Sequence, residues 1–167
     1  LQYPFRFMTH IVIDGANVAY AYLKSPPHKK KFSYEAYPEV AKEVCQRYGF
    51  EAILTMPRFR FKKLREKCMD DAICDLIERM VDEELIHLTG DATGDDDREA
   101  LALAMRLEVK LLTNDKKMNE HFDKYSKEDR KIAEEWLDNN RIGYFFSENN
   151  MILMDCIPTC LKKGATA

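Results

Sequence analysis

A chain of 167 residues is long enough to bury one sizeable core and too short for several ordinary domains. Its composition, 46% hydrophobic and 33% charged, is that of a globular protein, and with no apolar run of about 18 residues a helical membrane span is excluded. A net charge of −3 excludes a protein that coats nucleic acid by bulk attraction, although base collects at 28–31 and 58–67 and acid at 91–97.

The opening Leu1-Gln2-Tyr3-Pro4-Phe5-Arg6 lacks the charged, apolar and small-residue order of a signal peptide and has no Met, as expected of a domain cut from a longer chain. Residues 11–13, Ile-Val-Ile, form a β-branched run that ends at Asp14-Gly15, a strand followed by a turn. A short helix is expected over 17–23, stopped by Ser25-Pro26-Pro27, with an exposed loop to Lys31. Val40, Val44 and Tyr48 then mark one face of a helix that Gly49 caps.

A second strand is expected over 52–56 and is closed by Pro57. Ala72, Ile73, Leu76, Ile77, Met80 and Val81 recur at helical spacing within 68–84. A short third strand at 85–88 leads through a polar loop at 90–94 into a helix that opens with Asp95-Asp96-Asp97-Arg98 and runs to Leu107. The fourth strand, 109–113, ends at Asn114-Asp115, and two helical stretches follow, the second carrying Trp136 and Leu137. Residues 142–147 read as the last main strand, which Asn149-Asn150 turn into a short hairpin.

Alternating strands and helices predict an α/β fold, a three-layer α/β/α sandwich with a central, mainly parallel sheet. No repeat or linker divides it, so one domain is expected over 1–167 with its core at about 10–155. The five cysteines, Cys45, Cys68, Cys74, Cys156 and Cys160, are an odd number at spacings unsuited to zinc. They fit a reducing compartment, and a cytoplasmic location is expected.

Parallel strands end on one edge of their sheet, where ligands bind. Asp14 ends the first strand, Asp115 the fourth, and Asp96 and Asp97 open the helix after the third. Singly, each has an ordinary reading as a turn residue or helix cap. Together they make a pocket of repelling carboxylates that calls for a cation, and an oxygen-only set suits Mg²⁺, with Mn²⁺ able to substitute. Such a site can activate a water and stabilise a phosphodiester in transit, so metal-assisted phosphodiester hydrolysis is expected. Asn17, one turn beyond Asp14, either orients Asp14 or a metal-bound water, or caps a helix, and Thr113 and Asn114 can position Asp115. The four histidines are scattered, with no His–acid pair evident in the sequence.

The stretch Val12-Ile13-Asp14-Gly15-Ala16-Asn17-Val18-Ala19 resembles the opening of NYN domains, a branch of the PIN-like nucleases. Asp96-Asp97-Arg98, Thr113-Asn114-Asp115 and the later Trp136, Arg141, Tyr144 and Phe146 are similar to segments of the Regnase (MCPIP) group. The resemblance covers about residues 10 to 155 in order. It implies Mg²⁺-dependent endonucleolytic cleavage of single-stranded or stem-loop RNA by Asp14, Asp96, Asp97 and Asp115. It further implies a role in mRNA decay or RNA silencing, protein partners in an RNA-regulatory complex, and self-association. In two places the chain departs from the group. Asn119 stands where a further aspartate is usual, and the loop before Asp96 is acidic rather than basic.

RNA must then be gripped elsewhere, or less tightly. Arg58, Arg60, Lys62 and Lys63 follow the second strand on the acidic edge, with Arg98 and Lys116 beside the acids. Phe59 or Phe61 can stack on bases, although at least one of them is expected in the core. Lys29, Lys30 and Lys31 read as a solvated run. The rival reading is a catalytically weak NYN domain that acts as an RNA- or protein-binding scaffold. A phosphatase of haloacid-dehalogenase type fits worse, since Ala16 occupies the place of its second aspartate.

Overall fold

The computed structural model describes residues 9–22, 31–116, 118–148 and 150–154, and of residues 119 and 120 only the backbone. Strand β1 (Thr9–Ile13) is the central strand because its β-branched run is buried on both faces. It pairs in parallel with β2 (Phe50–Pro57) on one side and β4 (Lys110–Leu112) on the other. Strand β3 (Ile86–Thr89) extends the sheet beyond β2, and β5 (Arg141–Ile142) beyond β4, both in parallel. The order β3-β2-β1-β4-β5 places the topological switch between β1 and β4, where the strand ends leave a crevice.

Side chains alternate across the strands and build two cores. Ile11, Ile13, Leu54 and Met56 pack with Val40 and Val44 of α2 (Ala36–Tyr48) and Ile77 and Met80 of α5 (Asp71–Asp82). Val12 and Leu111 face the other way. They meet Ala100, Leu101 and Ala104 of α6 (Asp95–Leu107), and Ala133 and Leu137 of α7 (Lys127–Asn140). This is the three-layer sandwich that alternation predicted. No helix among the described residues is long and apolar enough to cross a membrane.

Three local expectations change. Helix α1 runs Gly15–Ala21, starting two residues before Asn17, because the Asp14 carboxylate accepts from the Asn17 backbone N–H at 3.3 Å and caps it. Between the second strand and the helix within 68–84, where the sequence predicts no element, Arg58 to Lys67 folds into two short helices, α3 (Arg58–Lys62) and α4 (Leu64–Lys67), pinned by buried Leu64. The expected strand over 142–147 breaks at Gly143. Its second half is β6 (Tyr144–Ser147), which leaves the main sheet and pairs antiparallel with β7 (Asn150–Leu153). The Asn114 side chain causes the break. Its amide donates to the Tyr144 carbonyl at 2.8 Å and accepts from the Tyr144 N–H at 2.9 Å, replacing a strand partner. The hairpin rests on α2, where Glu43 accepts from the Met151 N–H at 2.7 Å.

Gly15 lets α1 begin against β2. Its N–H donates to Thr55 Oγ1 at 3.3 Å, and the Tyr37 hydroxyl donates to the Thr55 carbonyl at 2.7 Å. A Cβ at Gly15 would overlap the Thr55 carbonyl oxygen and the Tyr37 ring, and backbone cannot yield as a flexible side chain can. Gly15→Ala is therefore expected to cost about 3 kcal/mol or more in urea unfolding. A loss below about 1 kcal/mol would show that α1 can shift freely.

Candidate active site

The β1 strand delivers Asp14 into the crevice, 2% exposed, with both carboxylate oxygens engaged. Oδ1 caps α1, and Oδ2 accepts from the Thr113 hydroxyl at 2.9 Å. Thr113 Oγ1 also accepts from the Asp115 N–H at 3.1 Å, so one hydroxyl ties the turn after β4 to the acid after β1. On β3 a second threonine acts in the same way. Thr89, the fully buried last residue of that strand, donates its hydroxyl to Asp96 Oδ1 at 2.8 Å. Asp96 and Asp97 lie in the first turn of α6, where the helix N-terminus favours negative charge.

Carboxylate oxygens of Asp14, Asp96 and Asp97 lie within 4.8 Å of one another. Asp115 stands outside that trio, yet after burial its charge is the largest influence raising Asp97. Burial, then the charges of Asp96 and Asp97, pushes Asp14 up to about 8. Burial, then Asp115 and Asp96, pushes Asp97 up to about 6 against the pull of His121 and Arg98. Burial raises Asp96 as well, while its bond from Thr89 opposes the rise. The trio thus resists full ionisation at neutral pH unless positive charge joins it. Its donors are all hard oxygens, a set that fits Mg²⁺ or Mn²⁺ and does not favour zinc.

Other side chains hold this edge together. The Asn17 side-chain oxygen accepts from the Asn114 N–H at 3.1 Å and the Tyr144 hydroxyl at 2.7 Å, joining α1, the β4 turn and β6. The Asn17 side-chain oxygen thus bridges Asn114 and Tyr144, while its backbone N–H donates to Asp14. Asn114 positions Tyr144, while Thr113 serves both Asp14 and Asp115. Arg141 donates to the Thr113 carbonyl at 3.0 Å. The side chain of Asn119 lies outside the described residues, as do Lys29, Lys30 and Lys117.

One expectation is corrected by a contact. His121 Nε2 lies 3.3 Å from Asp97 Oδ2, a His–acid pair where the sequence suggested none. A 3-10 turn, Met118–His121, folds back on α6 and brings the two together. Arg98 locks that turn, donating to the His121 carbonyl at 2.8 Å, to the Thr93 carbonyl at 3.4 Å, and to Asp95. With 13% of its side chain exposed, Arg98 is turned into the loop rather than towards solvent.

The cationic candidates separate likewise. Arg58, Lys62, Lys63 and Lys116 are exposed. Arg60 is sandwiched instead, its guanidinium 4.6 Å from the Phe32 ring and 4.8 Å from the Phe59 ring, and bonded to the Tyr20 hydroxyl. Phe61 packs on the core while Phe59 stays 39% exposed. Arg65 is committed to α5 through Asp75 at 2.6 Å and Glu78 at 2.8 Å. Among residues not singled out from the sequence, Thr89 had one available signal. It ends a strand just as Thr113 follows one, a hydroxyl beside each acidic turn.

Comparison with known proteins agrees with the fold. Residues 8–163 match the family model described as the Zc3h12a-like ribonuclease NYN domain. Two solved structures of the nuclear protein-only RNase P 2 (PRORP2) of Arabidopsis thaliana are similar, with TM-scores of 0.64 and 0.66 at 21% identity. Each likeness covers 87% of this chain but 29% of that one, and it is a likeness of fold. No curated protein matches the sequence.

Proposed function

The chain belongs to the Zc3h12a-like ribonuclease NYN domain family, and on that premise we propose that it cuts single-stranded or loop RNA internally with the help of Mg²⁺. The observation that carries this reading is the convergence of Asp14, Asp96 and Asp97 at the switch between β1 and β4. These three would hold the cation, and Asp115 completes the acidic edge. The cation's presence would supply charge neutralisation at the phosphodiester and a lowered pKa for the attacking water.

The protein's own groups orient and exclude. Thr113 and Thr89 fix the rotamers of Asp14 and Asp96, so no carboxylate needs to reorganise during the reaction. His121 holds Asp97 from the outer side. Arg58, Lys62, Lys63 and Lys116 attract the flanking phosphates, while Arg60 keeps Phe59 and Tyr20 in place at the rim. The setting we propose is mRNA decay or RNA silencing in the cytoplasm, with self-association and protein partners as in the group the sequence resembles.

Purified protein should cut an internally labelled single-stranded RNA with Mg²⁺ or Mn²⁺, and a chelator should stop it. Failure to cut with any divalent ion would overturn the proposal in favour of a scaffold.

A further inference from the structure

Arg98 belongs neither to the acidic trio nor to the exposed basic residues that attract phosphates. Its guanidinium joins three segments by donating to the His121 carbonyl at 2.8 Å, to the Thr93 carbonyl at 3.4 Å and to the Asp95 carboxylate. The turn it holds is anchored in the core between α6 and α7 by fully buried Met118 and Phe122. Gly94 makes room for it. A Cβ there would stand 2.7 Å from the Arg98 guanidinium and 2.8 Å from the His121 Cβ, and the backbone at Gly94 is left-handed, with φ 81°. Met118–His121 is therefore seated against the start of α6 by fit as well as by bonds, and that seat brings His121 to Asp97.

We propose that Arg98 is a positioning residue of the cation site, latching the turn so that His121 fixes the Asp97 carboxylate for the ion. The inference rests on the reading that Asp14, Asp96 and Asp97 hold a divalent cation, and it adds the group that keeps the third of them in place. The three acids share one arrangement. Thr113 holds Asp14, Thr89 holds Asp96, and His121 stands against Asp97 Oδ2, each from a segment other than the acid's own. The sheet itself fixes the two threonines, at the ends of β4 and β3. His121 comes from a four-residue turn, which needs a latch. A guanidinium suits that task, because its planar fork bonds several acceptors at once.

Two simpler roles fit worse. Charge alone would make Arg98 a liability, since a fixed cation beside a cation site opposes ion binding. Asp95, paired with Arg98 one turn away on α6, answers that charge locally. As a phosphate contact, the guanidinium would have to give up three acceptors and an enclosure that leaves 13% of the side chain exposed. Groups that orient a metal ligand, by contrast, are worth about ten- to a hundredfold in metal affinity without touching the ion.

The test measures Mn²⁺ binding to the RNA-free protein by calorimetry at one pH, with melting in EDTA as the check on folding. Arg98→Gln and His121→Ala should each bind Mn²⁺ about tenfold more weakly than wild type. The double variant should bind no more weakly than the worse single one, since both changes break the same chain of contacts. Loss of a positive charge alone would strengthen binding, so unchanged or tighter Mn²⁺ binding by Arg98→Gln overturns the proposal. Losses that add in the double variant overturn it too. If Arg98→Gln melts too low to assay, Arg98→Lys decides. Weaker binding then supports the latch, because an ammonium keeps the charge without the fork, and wild-type affinity overturns it. The affinity of Arg98→Gln for labelled RNA in EDTA should match wild type, and its loss would return Arg98 to the phosphates and overturn the proposal. Wild type that binds no Mn²⁺ overturns the cation reading and this inference together, whereas binding that the variants match overturns the inference alone.

Discussion

Asp14→Asn is expected to abolish RNA cleavage, by about a thousandfold or more, in a protein that melts higher than wild type when divalent ions are absent. The two halves of that result have one cause. The Asp14 carboxylate is buried and faces Asp96 and Asp97, which is why its pKa is pushed up to about 8. An amide of the same shape removes the repelling charge yet keeps partners. Its oxygen still accepts from the Asn17 N–H, and its NH₂ can donate to Thr113 Oγ1, which now accepts instead of donating. A cation, however, loses its most enclosed ligand. Metal ions supply several kcal/mol of charge stabilisation to phosphoryl chemistry, and each factor of ten in rate is about 1.4 kcal/mol. Initial rates on labelled RNA and thermal melts in EDTA read the two effects separately. Loss of activity together with a lower melting temperature would mean that the variant merely unfolds, and the buried-charge account would be wrong.

Which features of this site can be read from sequence follows from the range of the interactions involved. The β-branched run before Asp14, the bounds of α6 from Asp95 to Leu107, and the Gly49 cap are local patterns, and they stand where the sequence puts them. The parallel sheet then brings Asp14, Asp96 and Asp97 together without further information, because every strand must end on the same edge. The failures are side-chain contacts between distant segments. Asn114 ends the last strand of the main sheet by bonding to Tyr144, 30 positions away, and no window of periodicity contains that bond. His121 reaches Asp97 only because Arg98 folds a 3-10 turn against α6. Basic residues are also too uniform in sequence. Arg58, Arg60, Arg65 and Arg98 look alike there, but the structure leaves the first exposed, stacks the second, pairs the third and encloses the fourth.

In EDTA the domain should lose stability as pH rises from about 5 to 8, and saturating Mn²⁺ should reverse the trend. For Asp97 and Asp14 the folded values, about 6 and about 8, lie above the ordinary carboxylate value of 3.8. Between those limits the folded state binds more protons than the unfolded one, so the slope of stability against pH is negative. The full contribution is present below about pH 4. It fades as pH passes 6 for Asp97 and then 8 for Asp14. One proton difference is worth about 1.4 kcal/mol per pH unit, so the interval from 6 to 8 can cost up to about 3 kcal/mol, or roughly 10 °C in melting temperature. A cation occupies the place of the protons and binds more tightly as they leave, so its stabilisation grows over the same interval. Asp14→Asn should flatten the EDTA curve above pH 6 and weaken the response to Mn²⁺. Melting temperatures that climb between pH 6 and 8 in EDTA, with wild type and Asp14→Asn in parallel, would show that the three carboxylates do not share one buried pocket.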